Sequence, residues 1–255
     1  MKNETPVEQI WKDVWISQQD VSAREMFGHV LFIEGYKTIK KYFSPVTRRV
    51  LEGGGGTGRY GIQLAADNPK AQVTVVDIVP ESLELGKRAA SDRGISNIDF
   101  QINNLQDLSF PDNAFDLIVS DAVIQVFENY FPPINEMARV LEPGGRLIIS
   151  VCNKWNIHTL YKLILKLFNK PYRYGYEKSF THQELRQAVT KAGLSVIAED
   201  GFLASYGFTR HQSLPMRVIG KLCDLVARII DPLTDGYFTY LFGFEIVVVA
   251  QKHTD

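Results

Sequence analysis

Cysteine is nearly absent: Cys152 and Cys223 are the only two in 255 residues, and they form no Cys-x-x-Cys pair. The five histidines are scattered, with no ligand spacing. These shortages exclude a recognisable disulfide framework or zinc site and fit a reducing compartment. Charge of one sign is missing too. A net charge of −1 leaves no basic excess to hold a phosphate backbone, which argues against a general nucleic-acid binder. No apolar run is long enough to span a bilayer, and Met1-Lys2-Asn3-Glu4-Thr5-Pro6 has no apolar signal region. The expectation is a cytoplasmic soluble enzyme. The hydrophobic share of 45% and charged share of 22% are ordinary for a globular chain. The length suits one large domain or a core with an added lobe.

Glycine, by contrast, is concentrated. Between the strand-like Arg49-Val50-Leu51 and the helical spacing of Tyr60–Ala66 lie five glycines in the six positions 53–58. Such a run turns sharply, lets a ligand approach the backbone, and aims a helix N-terminus at it. Two templates fit. Gly53, Gly55 and Gly58 satisfy the dinucleotide pattern G-x-G-x-x-G. Glu52, Gly54, Gly56 and Gly58 satisfy acidic-x-Gly-x-Gly-x-Gly. The carboxylate of Glu52 would repel a pyrophosphate and attract a ligand carrying sulfonium and ammonium charges.

Downstream, Ala71–Val76 reads as a buried parallel strand ending in Asp77, nineteen positions past Gly58. An acid there is placed to accept from ribose hydroxyls, with Ile78 flat against adenine. Asn97–Ile102 alternates like an edge strand, with Ile98, Phe100 and Ile102 on one face. A fourth strand, Leu117–Val119, leads to Asp121, where open α/β sheets place ligands. Asp121 either orients a nucleophile there or caps the following turn. Arg139-Val140-Leu141-Glu142-Pro143-Gly144-Gly145-Arg146-Leu147 then reads as a helix end, a Pro-Gly-Gly turn and a fifth strand.

The second glycine template, Asp77 and this last segment resemble the class I S-adenosylmethionine-dependent methyltransferases, of the menaquinone-type small-molecule kind. The resemblance is strong over residues 46–151 and weak in the tail. It implies a Rossmann-like, doubly wound α/β sheet of seven strands in the order 3-2-1-4-5-7-6, the last antiparallel. An N-terminal helical cover (1–45), a cofactor-binding core (46–151) and lid insertions with closing strands (152–255) would complete it. The cofactor implied is S-adenosylmethionine, held by Glu52, Gly53, Gly54, Gly56, Asp77, Ile78, Asn104, Leu105 and Asp121. Relatives often carry Gly-Asp-Ala where this chain has Asn103-Asn104-Leu105. Asn104 therefore departs from the pattern, though its amide oxygen can still accept from the adenine amino group.

The partner implied is a small-molecule acceptor with an O, N or C nucleophile. A nicotinamide-dependent oxidoreductase, a silent cofactor-binding scaffold, and a protein or RNA methyltransferase are the rivals. General-base candidates are Asp121, His158, His182 and His211, a structural or exposed role being the competing reading for each histidine. Thr181 and Glu184 form a capping-box pattern. Two insertions read as basic amphipathic helices. One carries Leu160, Leu163, Ile164, Leu167 and Phe168 beside Lys162, Lys166 and Lys170; the other carries Val218, Leu222, Leu225, Val226 and Ile229 beside Arg217, Lys221 and Arg228. A solvated lid, an acceptor-selecting lid and peripheral membrane contact are the alternatives for them.

Overall fold

The computed structural model describes residues 7–17, 23–44, 46–209 and 214–254; His211 lies outside them. Three helices lead in: α1 (Val7–Ile16), α2 (Ala23–Gly28) and α3 (Val30–Lys40). The alternating part follows: β1 (Arg49–Gly53), α4 (Arg59–Asp67), β2 (Gln72–Asp77), α5 (Pro80–Asp92), β3 (Ile98–Ile102) and β4 (Phe115–Asp121). Then come α6 (Phe131–Val140), β5 (Leu141–Cys152), α7 (Ile157–Leu167), α8 (His182–Lys191) and β6 (Leu194–Phe202). The chain closes with α9 (Tyr206–Thr209), α10 (Leu214–Ile230), α11 (Tyr237–Phe242) and β7 (Glu245–Lys252).

The seven strands make one sheet in the order β3-β2-β1-β4-β5-β7-β6. β1 to β5 run parallel, and β7 is antiparallel to both β5 and β6. Apolar runs such as Val73–Val76 and Leu117–Val119 are buried on both faces of the sheet, as a central parallel strand requires. One core cluster joins Ile118, Met137, Ile149, Phe180 and Leu185; the other joins Ile39, Ile62, Val73, Leu83 and Val249. The sheet therefore has helices on two sides, and the parallel strands end together at one edge.

One local expectation needs correcting. Pro143-Gly144-Gly145 does not end an element: β5 runs through it, with Gly144 at φ +79° and an irregular register between Phe115 and Leu117 of β4. A glycine in a conformation that side chains rarely adopt lets the strand bend without stopping. β3 is an edge strand, as its alternation indicates, with Phe100 buried and Ile102, at the strand's end, 65% exposed. The capping box at α8 is present: Thr181 Oγ1 accepts from the Glu184 N–H, and Glu184 Oε2 accepts from the Thr181 N–H at 2.8 Å.

Candidate active site

The glycine turn leaves β1 and enters α4 with Gly54, Gly56 and Gly58 all at positive φ. At all three the lack of a side chain is a spatial need as well, a Cβ on Gly58 lying 2.9 Å from Phe100 and from Val75. A Cβ on Gly54 would lie 2.4 Å from Val123 Cγ1, and one on Gly56 would lie 2.4 Å from Trp15 Cζ2. Asp77, at the end of β2, fixes the turn from outside it. Its Oδ2 accepts from the Gly56 N–H at 2.8 Å, and its Oδ1 accepts from the Val79 N–H at 2.9 Å. Burial raises the Asp77 pKa more than these bonds lower it.

Glu52 sits beneath the turn. Its Oε2 accepts from the Gly61 N–H at 2.6 Å, so the carboxyl caps the first turn of α4. It is buried, and the loss of water raises its pKa to about 8.

These residues wall a cavity of about 450 Å³ at the ends of β1, β2 and β4. Glu52, Gly54, Gly56, Asp77, Ile78, Asn104, Leu105 and Asp121 all line it. Gly53 does not: a Cβ there would lie 2.8 Å from Leu105 Cδ1, and its carbonyl accepts from Ser120 Oγ at 3.1 Å. Asn104 Oδ1 already accepts from the Gln106 N–H at 2.9 Å, closing an Asx turn. Leu105 is buried, and Val123, Val126 and Phe127 add apolar surface. The far wall is α1, through Trp11 and Trp15. An ion pair of Lys12 with Glu81 at 2.8 Å ties that helix to α5.

A second cavity, of about 500 Å³, adjoins the first and shares Trp11, Trp15, Arg59, Tyr60, Asp121 and Ala122 with it. Asp121 therefore stands at the junction. One of its oxygens accepts from Ser150 Oγ, and the Tyr60 hydroxyl is hydrogen-bonded to it. The next residue, Ala122, is held at φ +57°, with its N–H bonded to the Ser150 carbonyl at 2.9 Å. A non-glycine residue in that region is a strained conformation that its surroundings must enforce.

Beyond the junction the second cavity is aromatic and acidic. Tyr174, Tyr206 and Phe244 line it together with Glu177 and Glu245. Trp11 stacks on Tyr174 with ring centroids 5.6 Å apart. Glu245 opens β7, and its pairing with Cys152 sets it at the same sheet edge as Asp121. The two carboxyls meet, and burial together with the Asp121 charge holds the Glu245 pKa well above the carboxylate range. Glu245 Oε2 receives no N–H or O–H donor among the described residues.

The histidine candidates His158 and His182 fall elsewhere, whereas His29 lines the second cavity. His158 is buried in α7 with Nε2 at 2.9 Å from the Tyr172 hydroxyl, and it lines neither cavity. His182 stacks on Tyr240 at 3.8 Å and borders a separate depression with Trp155 and Arg186. Burial lowers its pKa.

Sequence reasoning missed Tyr60, Glu177 and Glu245 as site residues. The one available signal was an acid heading the apolar strand Ile246–Ala250.

Comparison with known proteins agrees with this geometry. A family model described as a methyltransferase domain matches residues 46–196. A demethylmenaquinone methyltransferase of Listeria welshimeri is 27% identical over 167 residues, covering 62% of this chain and 70% of that one. One from Deinococcus radiodurans is 35% identical over 102 residues, covering 40% and 42%. Among solved structures, Haemonchus contortus phosphoethanolamine N-methyltransferase 2 in complex with S-adenosylmethionine superposes with a TM-score of 0.69 at 18% identity, over 99% of this chain and 61% of that one. A possible histamine N-methyltransferase from Thermotoga maritima gives 0.65 at 15% identity, over 96% and 99%. The glycine template led by Glu52 is thus the one that applies, and the nicotinamide alternative falls away. The chain belongs to the methyltransferase-domain family and is a class I S-adenosylmethionine-dependent methyltransferase.

Proposed function

We propose that this methyltransferase acts on a small molecule and that the atom it methylates is an amine nitrogen. The observation that carries the reading is the Asp121–Glu245 carboxyl pair at the junction of the two cavities, inside an aromatic wall.

The first cavity suits the cofactor. Asp77 keeps free lone pairs on both oxygens for ribose hydroxyls, and Gly54, Gly55 and Gly56 bring main chain to the cavity wall. Ile78 and Leu105 would enclose adenine, and the second lone pair of Asn104 Oδ1 would accept from its amino group. When bound, S-adenosylmethionine supplies an electrophilic methyl group on a sulfonium. The chain's task is then alignment and exclusion of water, which Trp11 and Trp15 serve by covering both cavities.

The second cavity suits a cation. Aromatic faces attract an ammonium, and so do paired carboxyls. Glu245 Oε2 lacks a hydrogen donor among the described residues, and Asp121 has lone pairs to spare. A hydroxyl brings one hydrogen to these acceptors, whereas an ammonium brings several together with its charge. The ammonium proton passes to Asp121, leaving the nitrogen lone pair facing the first cavity. The nitrogen–methyl bond forms as the carbon–sulfur bond breaks, and the electron pair stays on sulfur. The product leaves as a methylated ammonium, and Asp121 returns its proton to solvent. Glu245 acts as the second carboxyl of the pair and fixes the ammonium.

A second reading has support of its own. The curated relatives are named for demethylmenaquinone, and the stacked Trp11 and Tyr174 would also hold a flat aromatic ring for methylation at carbon. Transfer of labelled methyl to tryptamine, indole-3-ethanol and 1,4-naphthalenediol separates the readings. The amine reading expects turnover of tryptamine, at least about ten-fold above indole-3-ethanol, with loss of that preference in Glu245→Gln. Turnover of naphthalenediol alone contradicts it.

A further inference from the structure

The lid helices present a surface that nothing in the catalytic account uses. α7 turns His158 and Lys162 inward and sets Leu160, Leu163, Ile164 and Leu167 outward on one stripe, where Leu167 is 77% exposed. α10 does the same with Val218, Leu222, Leu225 and Ile229 at spacings of four, three and four; Leu222 is 56% exposed and Ile229 58%. Both helices pack against the short α9, whose Tyr206 lines the second cavity. The outer side of the lid is therefore the apolar one. So much exposed aliphatic surface on two neighbouring helices is far from the scattered single residues of an ordinary surface.

Charge decides what covers it. Residues 157–173 contain four Lys or Arg and no Asp or Glu; residues 214–230 contain three and one Asp, in a chain whose net charge is −1. On α10, Arg217, Lys221 and Arg228 fall in one row beside the apolar stripe and are exposed. That is the cross-section of a helix lying in a bilayer interface, aliphatic residues down and cations level with the headgroups. None of the described helices is long and apolar enough to cross a membrane, so the arrangement fits one that rests on it. A second copy of the chain would fit less well, because self-pairing brings two cationic rims together.

We propose that the outer face of α7 and α10 docks on an anionic lipid surface, the second cavity being reached through α9, on which both helices pack. The proposal is independent of which atom the enzyme methylates.

Sedimentation of the full chain tests it, with vesicles of phosphatidylcholine alone and of equal parts phosphatidylcholine and phosphatidylglycerol. The expected result is at least about ten-fold more binding to the anionic vesicles at low salt, falling as salt is raised. Leu222→Asp with Leu225→Asp abolishes that binding, and Arg217→Gln with Lys221→Gln removes the preference for phosphatidylglycerol. Both double variants keep the wild-type melting temperature and affinity for S-adenosylhomocysteine. Equal binding to both vesicles, or binding to neither, overturns the proposal. So does a dimer in sedimentation velocity that Leu222→Asp disperses. Loss of S-adenosylhomocysteine binding in the wild type would instead strike at the catalytic reading.

Discussion

The backbone N–H of Gly56 donates to Asp77 Oδ2 at 2.8 Å, joining the glycine turn to the end of the neighbouring strand. The other oxygen of Asp77 takes the Val79 N–H at 2.9 Å, so one carboxylate sets both backbone segments that border the cavity. Replacing it with an amide keeps the shape but offers one acceptor where two are needed. Asp77→Asn should weaken S-adenosylhomocysteine binding by about ten- to a hundred-fold, since a hydrogen bond to a charged group contributes roughly 1.5–3 kcal/mol. Calorimetric titration measures it.

Gly56 carries two constraints at once, a φ of +57° and the ring of Trp15 against its α-carbon. Gly56→Ala therefore should push α1 away from the turn. We expect at least about ten-fold weaker cofactor binding, equivalent to roughly 1.4 kcal/mol. Trp15 fluorescence should change in the absence of any ligand. An unchanged spectrum with unchanged affinity would show that α1 does not cover the turn.

Glu52 predicts a pH effect on stability. Its carboxyl titrates near the ordinary value of 4.5 in the unfolded chain and at about 8 in the folded one. Between these values the folded protein holds a proton that the unfolded chain has released. The contribution is thus fully present below the unfolded value and is lost as pH rises through the folded one. Glu52→Gln keeps an acceptor for the Gly61 N–H and cannot ionise. Its melting temperature should gain on that of the wild type by at least about 2 °C between about pH 5 and about pH 9, a shift worth roughly 1 kcal/mol in a chain of this size. A constant difference across that range would contradict the assignment.

His182 should matter for stability alone. It stacks on Tyr240, and its Nε2 lies 3.2 Å from the Asp200 carbonyl, while its neighbours line neither cavity. His182→Ala should lower the melting temperature by a few degrees, as loss of an aromatic pair worth roughly 0.5–1.5 kcal/mol would. Methyl-transfer kcat/KM should stay within about two-fold. A large loss of kcat alone would restore the histidine as a general base.

These residues also show what a sequence can carry. Asp77 was legible because the turn, helix and strand before it are contiguous, so its distance from Gly58 alone sets its place. The strand order came from the resemblance to the methyltransferases rather than from the alternation, and the sheet has that order. The Pro-Gly-Gly segment misled because glycine both ends elements and bends them, and only the pairing of β5 with β4 and β7 tells which. Gly53 fits the motif yet supports Leu105 from behind instead of facing the cavity. Glu245 was not legible as a site residue. Its nearness to Asp121 depends on the antiparallel register of β7 with β5, which joins parts of the chain far apart in sequence. Helices α7 and α10 were legible as amphipathic, but a sequence cannot say which stripe meets the core. The structure turns His158 inward and leaves Leu163 and Leu167 outside.

The most direct test of the account is parallel calorimetric titration of the purified protein with S-adenosylhomocysteine and with NADH. The expected result is saturable binding of S-adenosylhomocysteine, none of NADH, and a marked loss of the former in Asp77→Ala. Binding of NADH alone, or S-adenosylhomocysteine binding that Asp77→Ala leaves intact, would contradict it.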